Sequence, residues 1–257
     1  MRLYIVRHAD PDYEHDSLTE TGWKEAKALV PRFTGMDIKN FYVSPLGRAR
    51  DTASLTLQAM NRTAEVCDWL REFPAKMNMK NYPELQAAYP DTKYDKDGNS
   101  ERIVWDMLPF YLSEHPEYLD RHLWRESLAA VNSDMIECYD RVIREFDSLL
   151  AKHGYERRQN YYYAEKANRD TLVFFCHFGL ECVLLSHLLN VSPFALWSGT
   201  VFAPSSVSLI RTEERQEHIA YFRAAQLGDV SHLYAAGYEP SFAARFCETF
   251  DSMDERH

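Results

Sequence analysis

The chain has 257 residues, 46% of them hydrophobic and 26% charged, with a formal net charge of −10. This is an ordinary globular composition with ample material for a core. The acidic balance argues against a nucleic-acid partner, because binding a phosphate backbone needs surplus basic surface, but it leaves room for a small anionic substrate, which feels the local pocket more than the whole-protein charge.

Leu3–Val6 is apolar and β-branched and reads as a buried strand, cut short by the adjacent Arg7 and His8. That interruption denies the N-terminus the long apolar core of a signal peptide. The next stretch, "ADPDYEHD" (9–16), carries four carboxylates and a second histidine. Three readings compete for it. It could belong to a phosphate site with a histidine nucleophile, to a metal site built from His8, Asp10, Asp12 and His15, or to a surface loop after an edge strand.

Thr19 is placed to cap a helix whose apolar positions Trp23, Ala26, Val30 and Phe33 recur at helical spacing. "NFYVSP" (40–45) reads as a second strand that stops at Pro45, "GRARDTASLTLQAM" (47–60) as a helix and "AEVCDWL" (64–70) as a third strand. From Glu72 to Lys166 the alternation breaks, and a long helix is expected over 126–153, ended by Gly154. Residues 74–166 are therefore read as an insertion large enough to form a lid. "TLVFFCH" (171–177) is a continuous apolar run, as expected of a central strand covered on both faces, and the helix "GLECVLLSHLL" follows directly. "SVSLIR" (206–211) and "HIAYFRAA" (218–225) suggest a hairpin with the charged "TEERQE" as its turn.

The pattern predicts one α/β domain over residues 1–257. It would be a three-layer sandwich with a mostly parallel central sheet, helices on both faces and the largely helical insertion 74–166 over the C-terminal strand ends. Cys67, Cys138, Cys176, Cys182 and Cys247 are scattered without a CxxC, and Cys176 and Cys182 lie within apolar runs. They read as buried thiols in a reducing compartment. With no apolar run approaching a membrane span, the expectation is a cytoplasmic protein with no membrane partner. Nothing in the sequence fixes its oligomeric state.

In open α/β sheets, ligands bind beyond the carboxyl ends of the strands. Three of the expected strands end in Arg7-His8, in "SPLGR" and in "CHFG". Arg7 and Arg48 can each grip a pair of phosphoryl oxygens through a planar fork of donors. Arg48 in one helix's first turn and Gly179 at the start of another add free backbone N–H groups. His8 would attack phosphorus as neutral imidazole, with its other ring N–H tied to a backbone carbonyl. Arg7, Arg48 and His177 would stabilise the equatorial oxygens, and a carboxylic acid must protonate the leaving alcohol. Each residue also has a plain reading, His177 as a structural histidine and Arg48 as a solvated one. Their conjunction at three strand ends is what asks for a common cause.

These segments resemble the histidine phosphatase superfamily, which also contains the cofactor-dependent phosphoglycerate mutases. The resemblance rests on "VRHAD" (6–10), "LTETGWKEAKAL" (18–29), "SPLGRARDTA" (44–53), "WLREF" (69–73) and "FFCHFG" (174–179), with "LGDVSHL" (227–233) near the closing strand. It implies that His8 is the phosphorylated histidine, that Arg7 and Arg48 hold phosphate, that His177 is the second pocket histidine and that Glu72 is the acid/base. Several positions depart from the family pattern. Ala9 replaces a glycine, Phe178 replaces the glycine after the second histidine, and no "WEG"-type continuation follows Glu72. "DPDYEHD" stands where the mutases carry "ESxWN", and its carboxylates would repel a second phosphate unless paired.

The expected function is therefore a metal-independent phosphomonoesterase acting on a small phosphorylated metabolite without a cofactor. A mutase-type phosphoryl transfer, a metal-dependent hydrolase and a non-catalytic phosphate-binding protein are the alternatives. Arg7 beside His8 disfavours a divalent cation, and no second ligand cluster stands at the other strand ends. Glu84 and Glu101 are the next carboxylates to consider should Glu72 not be the acid. The aromatics of "NYYYAEK" (160–166), with Trp105, Tyr111 and Trp124, are as consistent with packing as with substrate recognition.

Overall fold

The computed structural model describes residues 1–90, 92–241 and 249–251, and Cys247 lies outside them. The first elements are β1 (Arg2–Arg7), β2 (Pro11–Asp12), β3 (Ser17–Leu18), α1 (Glu20–Phe33), β4 (Asn40–Val43), α2 (Gly47–Met60) and β5 (Glu65–Val66). Then come β6 (Lys76–Asn78), β7 (Glu101–Ile103), α3 (Pro109–Glu114), α4 (Leu128–Val131) and α5 (Met135–Lys152). The chain continues through β8 (Tyr155–Arg158), β9 (Tyr161–Ala164), β10 (Thr171–Cys176), α6 (Phe178–Leu189), α7 (Pro193–Gly199), β11 (Val207–Gln216), β12 (Ile219–Asp229) and α8 (Ser231–Ala235).

Eight strands form the main sheet in the order β5-β4-β10-β1-β11-β12-β9-β8. The four strands from β5 to β1 pair in parallel, and every pairing from β1 to β8 is antiparallel. The fold is thus α/β with a mixed sheet, parallel where strands alternate with helices and antiparallel where hairpins follow one another. β1 sits between β10 and β11, so Leu3–Val6 is the buried strand expected, and the loop after it does not follow an edge strand. Alternate residues of the central strands serve opposite faces. Tyr4, Val6, Val173 and Phe175 pack with Leu29 and Phe33 of α1 and Ala49 and Ala53 of α2 in one apolar cluster. On the other face Phe174 stacks on Tyr42 at 5.1 Å, and the Tyr42 hydroxyl meets His153 Nε2 at 2.9 Å. All six residues of β10 are buried, as its unbroken apolar run requires.

By compactness the chain divides into two units. One comprises Met1–Glu72, Leu149–Glu181 and Val201–His257, the other Phe73–Ser148 and Cys182–Thr200. The second unit's core includes buried Tyr111 and Trp124. The expected insertion boundary at 166 moves, because the hairpin Tyr155–Ala164 joins the main sheet through β9–β12 pairing. The long helix is shorter than expected. Ser127 caps α4, and α5 starts only at Met135, where Ser133 Oγ accepts its amide. "AEVCDWL" supplies only the two exposed residues of β5 before a 3-10 turn at Asp68–Leu70. Conversely, most of "TEERQE" is strand: β11 runs to Gln216, and the turn falls on Glu217 and His218. Most of the segment's charged side chains lie at the surface, and Glu213 pairs with Arg215 and Arg223.

Candidate active site

Register alone brings three polar side chains to one edge of the sheet. Arg7 pairs with Cys176 and Val43 with Phe175, so His8, Ser44 and His177 leave three adjacent parallel strands side by side. The His8 amide donates to Cys176 O and the Ser44 amide to Phe175 O, both at 2.9 Å, extending the ladder one residue further.

The His8 and His177 rings lie 5.1 Å apart. His8 is only 2% exposed, and its Nδ1 stands 2.8 Å from Ala9 O. A carbonyl only accepts, so that geometry assigns the proton to Nδ1 and leaves the lone pair on Nε2. Burial, then the charges of Arg7 and Arg48, hold its pKa well below the usual histidine value. His177 is fully buried, with Nε2 2.8 Å from Ser44 Oγ. Its Nδ1 is buried without a hydrogen-bond partner among the described residues. Burial, then His8 and the cations Arg48, Arg7 and Arg71, push its pKa down as well. Two neutral imidazoles therefore stand between arginines.

Arg48 lies in the first turn of α2, with Nη1 2.7 Å from Asp16 Oδ1 and its guanidinium 5.4 Å from the Tyr13 ring centre. Asp16 Oδ2 accepts the Gly47 amide at 2.6 Å. A Cβ on Gly47 would sit 2.0 Å from Asp16 O, so only glycine lets this loop seat on the helix start. Arg7 donates Nη1 to Phe202 O, and its guanidinium lies 5.6 Å from the Phe178 ring centre. The Glu72 Oε1 accepts the Leu180 amide at 3.1 Å, in the first turn of α6 directly after His177. Arg7, His8, Arg48, His177 and Glu72 thus gather at one end of the sheet. Glu84 and Glu101 belong to the other compact unit.

Three of the four opening carboxylates engage partners of their own. Asp10 accepts the Thr19 hydroxyl at 2.6 Å and gives its amide to buried Glu25 at 2.8 Å. Asp12 pairs with His15 at 2.8 Å and Asp16 with Arg48. No cluster of three or more His, Cys, Asp or Glu able to hold a metal exists among the described residues. Burial raises Glu25 to about 7, against the bond it accepts from the Asp10 amide.

The model of the histidine phosphatase superfamily (branch 1) matches residues 3–224. The chain belongs to this superfamily. A 2,3-bisphosphoglycerate-dependent phosphoglycerate mutase from Thermoplasma acidophilum is 34% identical over 68 residues, 23% of this chain and 34% of the mutase. The match therefore spans about a third of that protein's length. Among solved structures, phosphoserine phosphatase from Entamoeba histolytica in complex with phosphoserine superposes with a TM-score of 0.57 at 14% identity, covering 90% of this chain and 98% of that one. A mycobacterial glucosyl-3-phosphoglycerate phosphatase with inorganic phosphate gives 0.57 at 17% identity, covering 90% and 98%. At such identities these likenesses establish the fold.

Within the superfamily pattern, the departures now have structural settings. Ala9 is fully buried and gives its amide to Thr52 Oγ1 at 2.9 Å, which ties the first loop to α2. Phe178 is 7% exposed and packs on Phe202 at 5.9 Å. Sequence reasoning assigned no role to Ser44, Asp16, Thr52, Phe202 or Glu181. Ser44 is the one with a local signal, since it opens "SPLGR" at a strand end. Among the described residues no helix is long and apolar enough to cross a membrane.

Proposed function

We propose that this member of the superfamily is a phosphomonoesterase that works through a phosphohistidine on His8, without a metal, on a small phosphorylated substrate in the cytoplasm. One observation carries the reading: the bond from Nδ1 to Ala9 O leaves the Nε2 lone pair of a neutral imidazole next to Arg7 and Arg48. A protonated imidazole would be no nucleophile. In the first step Nε2 bonds to phosphorus and the bond from phosphorus to the substrate oxygen breaks. Glu72 gives that oxygen its proton. In the second step Glu72 takes a proton from water, whose oxygen attacks the phosphohistidine, releasing phosphate and restoring His8.

Arg7, Arg48 and the first turn of α6 supply fixed positive potential for the equatorial oxygens. The buried His177 Nδ1 is a further polar atom for that oxyanion to engage. The test is a rapid acid quench with substrate labelled in its phosphoryl group. Wild type should carry an acid-labile, alkali-stable label, and His8→Ala should carry none and turn over nothing. Substantial activity in His8→Ala would end the reading.

The local similarity to a phosphoglycerate mutase favours a second reading, transfer of the phosphohistidine's phosphoryl group to another hydroxyl. Pairing of Asp12 and Asp16 lowers the repulsion a second phosphate would meet, yet Asp16 already occupies Nη1 of Arg48. Dependence of turnover on an added bisphosphate would select the mutase.

A further inference from the structure

We infer that Phe178, at the position where the superfamily pattern has glycine, is a positioning residue that fixes the plane of Arg7 for an oxyanion, and that Phe202 completes the same clamp. The inference rests on the proposed phosphate site. Arg7 ends a strand and has four rotatable bonds, so left alone it would sample many directions and lose that freedom on binding. Here two contacts limit it, and a third joins the two residues that make them. The guanidinium lies over the Phe178 ring at 5.6 Å, Nη1 donates to the Phe202 carbonyl, and the Phe178 and Phe202 rings pack at 5.9 Å with 54° between planes.

The clamp is itself supported. Gly228, at φ +62°, comes so close that a Cβ there would be 3.1 Å from Phe202 Cδ1 and 3.2 Å from Val201 O. Phe178 follows His177 and opens α6, so its backbone is set by the same strand-to-helix turn that places the second histidine. An aromatic face holds a cation electrostatically without competing for its N–H groups. A carboxylate in the same place would bind Arg7 more strongly but would occupy donors that the phosphoryl oxygens need. Phe178 thereby does for Arg7 by its π-face part of what Asp16 does for Arg48 by ion pairing.

The experiment compares Phe178→Leu and Phe178→Met, which keep an apolar side chain but lose the ring, with Phe178→Tyr, which keeps it. Affinity for inorganic phosphate and for vanadate is measured by calorimetry, beside the thermal midpoint of each variant. We expect the Leu and Met variants to bind both anions about tenfold more weakly, with Phe178→Tyr near wild type. A variant whose thermal midpoint matches wild type isolates positioning from folding, and two ring-free variants guard against one failing to fold. Equal affinity in wild type and a folded ring-free variant would overturn the clamp, as would loss in Phe178→Tyr equal to that in Phe178→Leu. Wild type binding neither anion would instead count against the phosphate site itself.

Discussion

Asp16 holds Arg48 and Gly47 at once: Oδ1 lies 2.7 Å from Nη1 of the arginine and Oδ2 2.6 Å from the glycine amide. Helix α2 has no cap from its own N-cap residue, Leu46, so a carboxylate from the opening hairpin performs that task from outside. The loop that first invites a metal reading is thus the device that orients a cation. Asp16→Ala should weaken vanadate binding several-fold and lower stability by about 1 kcal/mol, the usual size of a lost cap. Unchanged vanadate affinity would show that Arg48 needs no such orientation.

Extended dialysis against a chelator should leave turnover intact, and vanadate, which can take up five-coordinate geometry, should inhibit. The expectation follows from the separate engagements of Asp10, Asp12 and His15, which leave His8 among arginines rather than carboxylates. Loss of activity on chelation, restored by manganese or zinc, would refute it.

Arg7, His8, Arg48 and His177 are legible in the sequence because each is a polar residue where an apolar run or a short strand stops, and strand ends converge in this kind of sheet. The elements around them are legible for the same reason, since the hydrophobic periods of β1, α2 and β10 are strong and local. What lies beyond reach depends on partners distant in the chain. Phe202 meets Arg7 across 195 positions and Asp16 meets Arg48 across 32. No spacing rule encodes such pairs. The antiparallel half of the sheet is hidden for another reason: β8 and the outer half of β11 carry runs of charged residues that break the apolar alternation, although Tyr155, Tyr162 and Ala220 beside them are buried.

In the proposed mechanism Glu72 governs how the leaving group departs. Its contact with the Leu180 amide holds it at the first turn after His177. General acid assistance is typically worth about 10²- to 10⁴-fold, and an alkoxide needs it far more than a phenolate. Glu72→Gln should therefore cut turnover of alkyl phosphates strongly and that of an aryl phosphate with an acidic leaving group much less. An equal loss on both would mean that Glu72 does not protonate the leaving group, and Glu84 and Glu101 would be tested next.

Glu181 is a carboxyl buried completely in the first turn of α6. Burial raises it to about 8 against the pull of Ser208 and Arg7, with Glu72 the smallest influence. The unfolded chain ionises this residue from pH about 4.5 upward, while the folded protein keeps the proton until pH about 8. Over that window the unfolded state binds fewer protons, so the group lowers stability as pH rises, by about 1.4 kcal/mol per pH unit. Glu181→Gln removes the titration and keeps the shape. Denaturant midpoints at pH 5.5, 6.5 and 7.5 should place the variant progressively above wild type. Glu25 titrates in both proteins and cancels in the difference. If the two stability curves run parallel across the three pH values, Glu181 is already ionised in the folded protein over that range.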